Sequence, residues 1–385
     1  MRKSPLHWPQ KRIDNEGRAS AVNRIFFGIF VVLVWLCIGC KTSPDHASPD
    51  AELPSLPQTP QSADAAVDAA VDASEDAGRR AGEKDALDIE PLHHTTQEEL
   101  LALISISPGR KIRKRDPTEF LQKYVGPGGP GQVNQGNPAL AHHSISRSAC
   151  MAGLAGLTLQ TKEQREICGG HENMVPIYKG ADPTKAKVCI DIFEYPNRAC
   201  ELPMVWTPPA HAAILCELQG KRLCAQEEWV LACRGDPAGG EPSTYAYGEE
   251  LNLDICNTNK SAPKFSDKPC DPRTIDTTWE SCSTNTEPSG SYPGCRSRFG
   301  VFDQHGNVAE AMTRVEPEDG KVYSQLKGSA FFYVDVSRKL MDPPKREVYS
   351  DHCAHDPRWH VQPIRKAFHV NYHLGFRCCY PTGGR

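Results

Sequence analysis

Sixteen cysteines in 385 residues constrain this chain more than any other feature, and fourteen of them fall between Cys150 and Cys379. Cysteine at that density points either to metal sites or to an oxidising compartment. No CxxC…CxxC pairing occurs, which argues against a structural zinc site. Cys378 and Cys379 are adjacent, so they bond to different partners if both are oxidised.

The N-terminus chooses between the two readings. An apolar run, IFFGIFVVLVWLCIG at 25–39, follows Arg24 and the earlier basic residues Arg2, Lys3, Lys11, Arg12 and Arg18. It is short for a membrane span, which needs roughly 20 residues, and it fits the apolar core of an export signal. The run ends in LCIGC, which resembles a bacterial lipobox. That resemblance implies a signal peptide over 1–39 and acylation of Cys40, palmitate being one such acyl group. It implies a membrane-anchored lipoprotein of the bacterial cell envelope, on the periplasmic side or at the cell surface. Cys37 stands where an aliphatic residue is usual, and an uncut signal anchor is the alternative. With Cys37 removed and Cys40 acylated, fourteen cysteines remain, an even number that favours disulfides.

Residues 40–94 are dominated by Ala, Asp, Pro, Ser and Glu. Such a stretch cannot bury enough apolar surface to offset chain entropy and reads as a disordered tether. Between 95 and 145 the expectation is one short helix and a linker. TTQEELLALISI at 95–106 has a threonine cap and Glu98 and Glu99 in its first turn. GPGGPGQVNQGNP at 126–138 reads as a flexible linker. The basic cluster at 110–116 reads as a solvated face, or alternatively as a contact for anionic lipid heads. The formal charge of −4 carries no basic excess to suggest a nucleic-acid partner.

From 146 to 383 short apolar runs alternate with Gly, Pro and Asn. AKVCIDIFEYPN at 186–197 predicts a strand and a turn. The stretch 208–223 predicts a helix, with Pro209 in its first turn and Gly220 stopping it. A second helix over 225–235 carries Glu227 and Glu228 near its start and ends at Gly235. Residues 248–293 read as turns and short segments. The fold class is α+β, low in regular secondary structure and disulfide-rich.

The succession CIDIFEYPN, CELQGKRLCAQEEWVLACRG, YAYGEE, CNTN, FGVFDQHGNVAEA, LKGSAFF and GFRCC runs in order from Cys189 to Cys379. It resembles the formylglycine-generating-enzyme or sulfatase-modifying-factor family. The resemblance implies a variant of the C-type lectin fold over 146–383. It also implies a calcium site, with carboxylate oxygens from Asp303 and Glu310 and backbone carbonyls from Gly306 and Val308. Calcium takes six to eight hard oxygens, and a tight turn at Gly306 lets residues seven apart face one ion. The alternative is a ligand-free turn capped by Asp303. Ala309 and Ala311 replace the family's tryptophans. A second calcium site would begin at Asn257 and Thr258, but no partner aspartate is found for it.

Active members bind Cu(I) through a C-x4-C pair shortly before the terminal GFRC, and soft thiolates select that ion. Here only Cys353 precedes the terminal pair in that region. If it fills the family's structural position, the copper positions fall on Pro343 and Val348; if it is itself a ligand, its partner at Val348 is still missing. Copper is therefore not expected. The resemblance pairs Cys216 with Cys378 and Cys233 with Cys353, and leaves Cys224 and Cys379 to pair with each other. Cys189, Cys200, Cys256, Cys270, Cys282 and Cys295 are expected to be bonded in an undetermined order. His352, His355, His360, His369 and His373 are enriched locally, and His352 and His355 with Cys353 form a candidate transition-metal set.

The leading expectation is a non-catalytic binding or structural module. Its ligand is a cell-envelope protein, a peptide or a glycan. The alternative is a metal-dependent oxidase or protein-modifying enzyme using His352, Cys353 or His355. A catalytically inert chaperone for sulfatase-like partners is not separable from the first reading by sequence.

Overall fold

The structure is a computed structural model and describes residues 91–112, 116–258, 270–271, 273–316, 320–332, 352–356 and 361–383. The export signal, Cys40, nearly all of the tether, Pro343, Val348 and His360 lie outside them. Among the described residues no helix is long and apolar enough to cross a membrane.

Among the described residues, seven short α-helices accompany two small sheets. They are α1 (Gln97–Ala102), α2 (Thr118–Tyr124), α3 (Arg147–Leu154), α4 (Lys162–Ile167), α5 (Pro209–Leu218), α6 (Gln226–Arg234) and α7 (Ile275–Ser281). Helix α1 starts where Thr96 caps the Glu99 amide and Glu99 returns the bond, a reciprocal arrangement that satisfies otherwise orphaned donors. Helix α5 opens with Pro209, and Gly220 takes a positive φ just beyond its end.

The first sheet holds β1 (Met174–Ile177), β2 (Val188–Asp191), β3 (Arg222–Leu223) and β8 (Cys378–Pro381). Its spatial order is β1-β2-β8-β3, antiparallel throughout. The second holds β4 (Ala309–Val315), β5 (Val322–Lys327), β6 (Gln362–Pro363) and β7 (Leu374–Phe376). Its order is β6-β5-β4-β7, with β4 and β7 parallel. Arg377 is the single residue between β7 and β8, so the chain steps from one sheet to the other through it.

Seven disulfides hold these elements together. They are Cys150–Cys200, Cys168–Cys189, Cys216–Cys378, Cys224–Cys379, Cys233–Cys353, Cys256–Cys295 and Cys270–Cys282. The adjacent Cys378 and Cys379 point to opposite faces of β8, as successive strand residues must. One therefore bonds to helix α5 and the other to the end of β3.

Three expectations need correction. The glycine-rich stretch 126–138 is no flexible linker but part of the body. Val125 and Val133 are bridged and buried, and Asn134 pairs with Val205. Gly136 sits at φ +97°, and a side chain there would strike Thr284 at 2.5 Å. Gly136 there serves close approach of Thr284 to the backbone. The body also begins before residue 146: Leu100, Leu103, Leu121 and Val125 share a buried cluster with Trp206, Leu215 and Phe376. Residues 91–94, assigned to the tether, are docked on it. Finally, helix α7 lies inside the 248–293 stretch, started by a Thr274 cap on the Thr277 amide.

Candidate functional site

The loop between Phe302 and β4 is shaped by three residues in the left-handed region: Asp303 at φ 56°, Gly306 at 74° and Asn307 at 55°. Only glycine fits at 306. A Cβ there would lie 2.2 Å from the Asn257 carbonyl oxygen. That close approach lets the Asn307 amide donate to the same carbonyl at 2.9 Å. The Asn257 side-chain amide donates to Asn307 Oδ1 at 3.0 Å. The structure thus brings Asn257 and Thr258 against Gly306 and Asn307.

Four charged side chains lie beneath this loop. Glu310 accepts from Arg377 Nε at 2.6 Å and Nη2 at 2.5 Å, and from the Trp229 indole at 2.9 Å. Arg377 also donates to the carbonyls of Asp191, Ile192 and Phe302. These bonds engage all five guanidinium hydrogens. Glu194 accepts from Ser289 Oγ, the Asn307 side-chain amide and the Val308 amide. Asp303 accepts from the Gly290 amide at 2.6 Å. All four groups are buried. Burial raises Glu194 well above the usual carboxylate range, helped by the charges of Asp303 and Glu310. Burial likewise raises Asp303 to about 7, against the Gly290 bond and the Arg377 charge. Three buried carboxylates therefore face one guanidinium, and the excess negative charge calls for protons or a cation.

A calcium ion fits this arrangement in part. Asp303 lies in the carboxylate-rich region, beside the turn that carries Gly306 and Val308. Glu310 does not fit, because its two oxygens already hold a guanidinium and an indole N–H. Glu194, Asp191, Lys221 and Arg377 were missed by sequence reasoning. Asp191 accepts from Lys221 Nζ at 2.7 Å and from the Cys378 amide at 3.0 Å, again out of solvent.

A second cluster surrounds Cys353. The candidate set of His352, Cys353 and His355 is not assembled, because the Cys353 sulfur is bonded to Cys233. The rings of His352 and His355 instead meet edge-on at 5.8 Å. The imidazole that does reach the sulfurs belongs to His305, with Nε2 at 3.6 Å from Cys233 and 3.7 Å from Cys353. That nitrogen accepts from the Ala246 amide at 3.0 Å. Tyr245 and Tyr247 flank the ring at 5.7 and 5.4 Å. His373 packs edge-on against Phe332 and Tyr372.

Residues 161–380 match the sulfatase-modifying factor enzyme 1-like domain. That is more than half of the chain, and the chain belongs to this family, with the family's α+β variant of the C-type lectin fold. Among solved structures, one titled crystal structure of CarF is similar at 14% identity and a TM-score of 0.33, covering 54% of this chain and 96% of its own. The major tropism determinant I1 variant is similar at 11% identity and a TM-score of 0.23, covering 55% and 52%. The M1 variant gives 11% and 0.21, covering 57% and 47%. This chain thus spans about half the length of the tropism determinants it matches. No relative with a curated description matches the sequence.

Proposed function

We propose that this protein is a non-catalytic binding or structural module of the cell envelope, held at the membrane by acylated Cys40. One observation carries the reading: every cysteine from Cys150 onward is engaged in a disulfide. The Cu(I) chemistry of the family's active members needs two thiolates, and none of these fourteen cysteines is left outside a cross-link. Recognition is assigned to the face beside Tyr247, where an open groove of about 720 Å³ is lined by Tyr247, Glu249, Glu250, Asn252 and Leu253. Its two carboxylates and aromatic ring suit a basic peptide or the hydroxyl-rich face of a glycan.

Calcium is proposed at the 303–308 turn, through Asp303 and the backbone oxygens of Gly306 and Val308, with Asn257 and Thr258 alongside. Glu310 stays with Arg377. The ion would neutralise the excess negative charge around Asp303.

The test is thiol titration of the oxidised full chain, together with copper analysis and incubation with a cysteine-bearing peptide. The module reading expects no titratable thiol in 150–379, no retained copper and an unaltered peptide. Stoichiometric copper with peptide turnover overturns it. A second reading, a metal-dependent oxidase, is favoured by His305 against the Cys233–Cys353 pair. Reduction of that bond by an external dithiol would place two thiolates and one imidazole within reach of one ion.

A further inference from the structure

One surface of the body collects aromatic rings from three separate segments. Phe120 and Tyr124 stand one turn apart on α2, with ring centroids 5.0 Å apart. Both meet His211 in the first turn of α5, at 5.3 and 4.3 Å. His211 in turn meets Phe368 edge-on at 5.8 Å. The backbone beside Phe368 is pinned to α5, because the Ala210 amide donates to the Ala367 carbonyl at 3.1 Å. Phe368 is nevertheless 57% exposed, while His211 is buried. A large ring left in water against three others is a contiguous patch, which marks an interaction site more often than a scattered apolar residue does.

Cations border the rings. Lys123 Nζ lies 5.0 Å from the centre of the Tyr124 ring. Arg365 and Lys366, both exposed, belong to the short turn just before Phe368. At the start of α2 an open groove of about 460 Å³ is lined by Ile106, Arg110, Lys111 and Pro117, and Ile106 is 44% exposed. Three carboxylates share these elements. Asp116 accepts from the Thr118 amide at 2.7 Å and feels the charge of Lys111. Glu119 and Glu217 are exposed on α2 and α5. The five cations outnumber them, so this surface is positive on a chain whose formal charge is −4.

The chain enters the body beside this surface. The Gln97 side chain in α1 donates to the Gln122 and Val125 carbonyls at 2.8 and 2.6 Å, which clips α1 to the end of α2. Fifty residues, 41–90, separate Cys40 from Pro91. They can span roughly 170 Å at most. A body tethered at that range meets its bilayer at a high effective concentration, so weak contacts count. We propose that the surface of Phe120, Tyr124, Phe368, Lys123, Arg365 and Lys366 docks on the anionic phospholipid headgroups of the bilayer that holds the N-terminus. This rests on the membrane attachment proposed above. Aromatic rings settle at headgroup level, and lysine and arginine beside them are drawn to a negative leaflet. The rings do not suit a bound cation, because Lys123 already stands over one of them. Attachment then has two parts, a hydrophobic anchor and a basic surface, and neither needs to hold the body alone.

The test uses the full chain, purified from bacterial membranes and reconstituted with phosphatidylcholine vesicles or with vesicles rich in phosphatidylglycerol. Lysine acetylation is then read by mass spectrometry. The chain should be recovered on both vesicle types through its N-terminus. Lys123 and Lys366 should be labelled several-fold more slowly on the anionic vesicles. Lys162 on α4, whose side chain is 92% exposed, should be labelled equally on both. Protection should vanish at high salt, which screens exposed charges. It should also weaken in Arg365→Glu, an exposed position whose exchange leaves the core untouched. With the chain recovered on both vesicle types, equal labelling of Lys123 and Lys366 overturns the docking surface alone. Equal protection of Lys162, or protection unchanged in Arg365→Glu, does the same. Recovery on the anionic vesicles only, with Lys123 and Lys366 protected, supports the surface and overturns the N-terminal attachment. Recovery on neither overturns both.

Discussion

Arg377 and Glu310 form a two-pronged ion pair at the point where the chain passes from one sheet to the other, and both side chains are sealed from solvent. The arginine sits between β7 and β8, and the glutamate on β4 beside β7. The pair therefore fixes how the two sheets meet. Removing one partner leaves the other charge buried and uncompensated, which costs about 3–5 kcal/mol. Arg377→Met and Glu310→Gln should each lower stability by that order in urea unfolding. The double variant should recover part of the loss, because neither charge is then stranded. Additive losses in the double variant would show that the two side chains act separately.

Asp303 makes stability depend on pH with a definite sign. Its folded value is raised from 3.8 to about 7 by burial, and Glu194 moves in the same direction. A raised carboxyl binds its proton more tightly in the folded state. Its contribution is thus full below the unfolded value and is lost as pH rises towards 7. With chelator present, melting temperature should fall between pH 5 and pH 8 by several degrees, a loss of roughly 2–3 kcal/mol. Asp303→Asn should flatten that fall. Calcium should raise the melting temperature at pH 8 far more than at pH 5, where the carboxyl already holds a proton. An unchanged melting curve with and without chelator at pH 8 would empty the proposed calcium turn.

The helices α5 and α6 were legible because Pro209, Gly220 and Gly235 mark their ends locally. Cys216–Cys378 and Cys233–Cys353 were legible only through the order of the family's motifs, since 162 and 120 residues separate the partners. Cys168–Cys189 and Cys256–Cys295 had no such guide. Buried charges were invisible for a related reason. Glu194 in CIDIFEYPN looks like any surface glutamate, and its partners Ser289 and Asn307 lie about a hundred residues away. The 126–138 stretch was misread because composition signals flexibility. Only the position of Thr284 shows that Gly136 is there to let another group come close.

Cys233–Cys353 closes a loop of 120 residues of sequence separation, and loop entropy puts its stabilisation at about 4–5 kcal/mol. Cys353→Ser with Cys233→Ser should lower stability by that order. His305→Ala, which leaves the bond in place, should lower stability by less than the double serine variant. A loss as large would mean that the imidazole, and not the cross-link, holds this corner.

Membrane attachment is the prediction most open to a direct answer. The lipobox-like LCIGC puts the proposed acylation at Cys40, and acyl chains partition at about 0.8 kcal/mol per buried methylene. Cys40→Ala removes the thiol that would carry them. If cleavage before Cys40 and acylation both occur, the parent protein should sit in the membrane fraction with a lipid-modified N-terminal peptide starting at Cys40. The variant should then lose the modified peptide and leave the membrane, unless the uncut apolar run at 25–39 retains it. The two outcomes differ in mass: release of the mature chain supports the lipid anchor. A membrane-bound parent whose N-terminal peptide precedes residue 25 assigns the anchor to the apolar run instead, since that segment alone would then hold the chain.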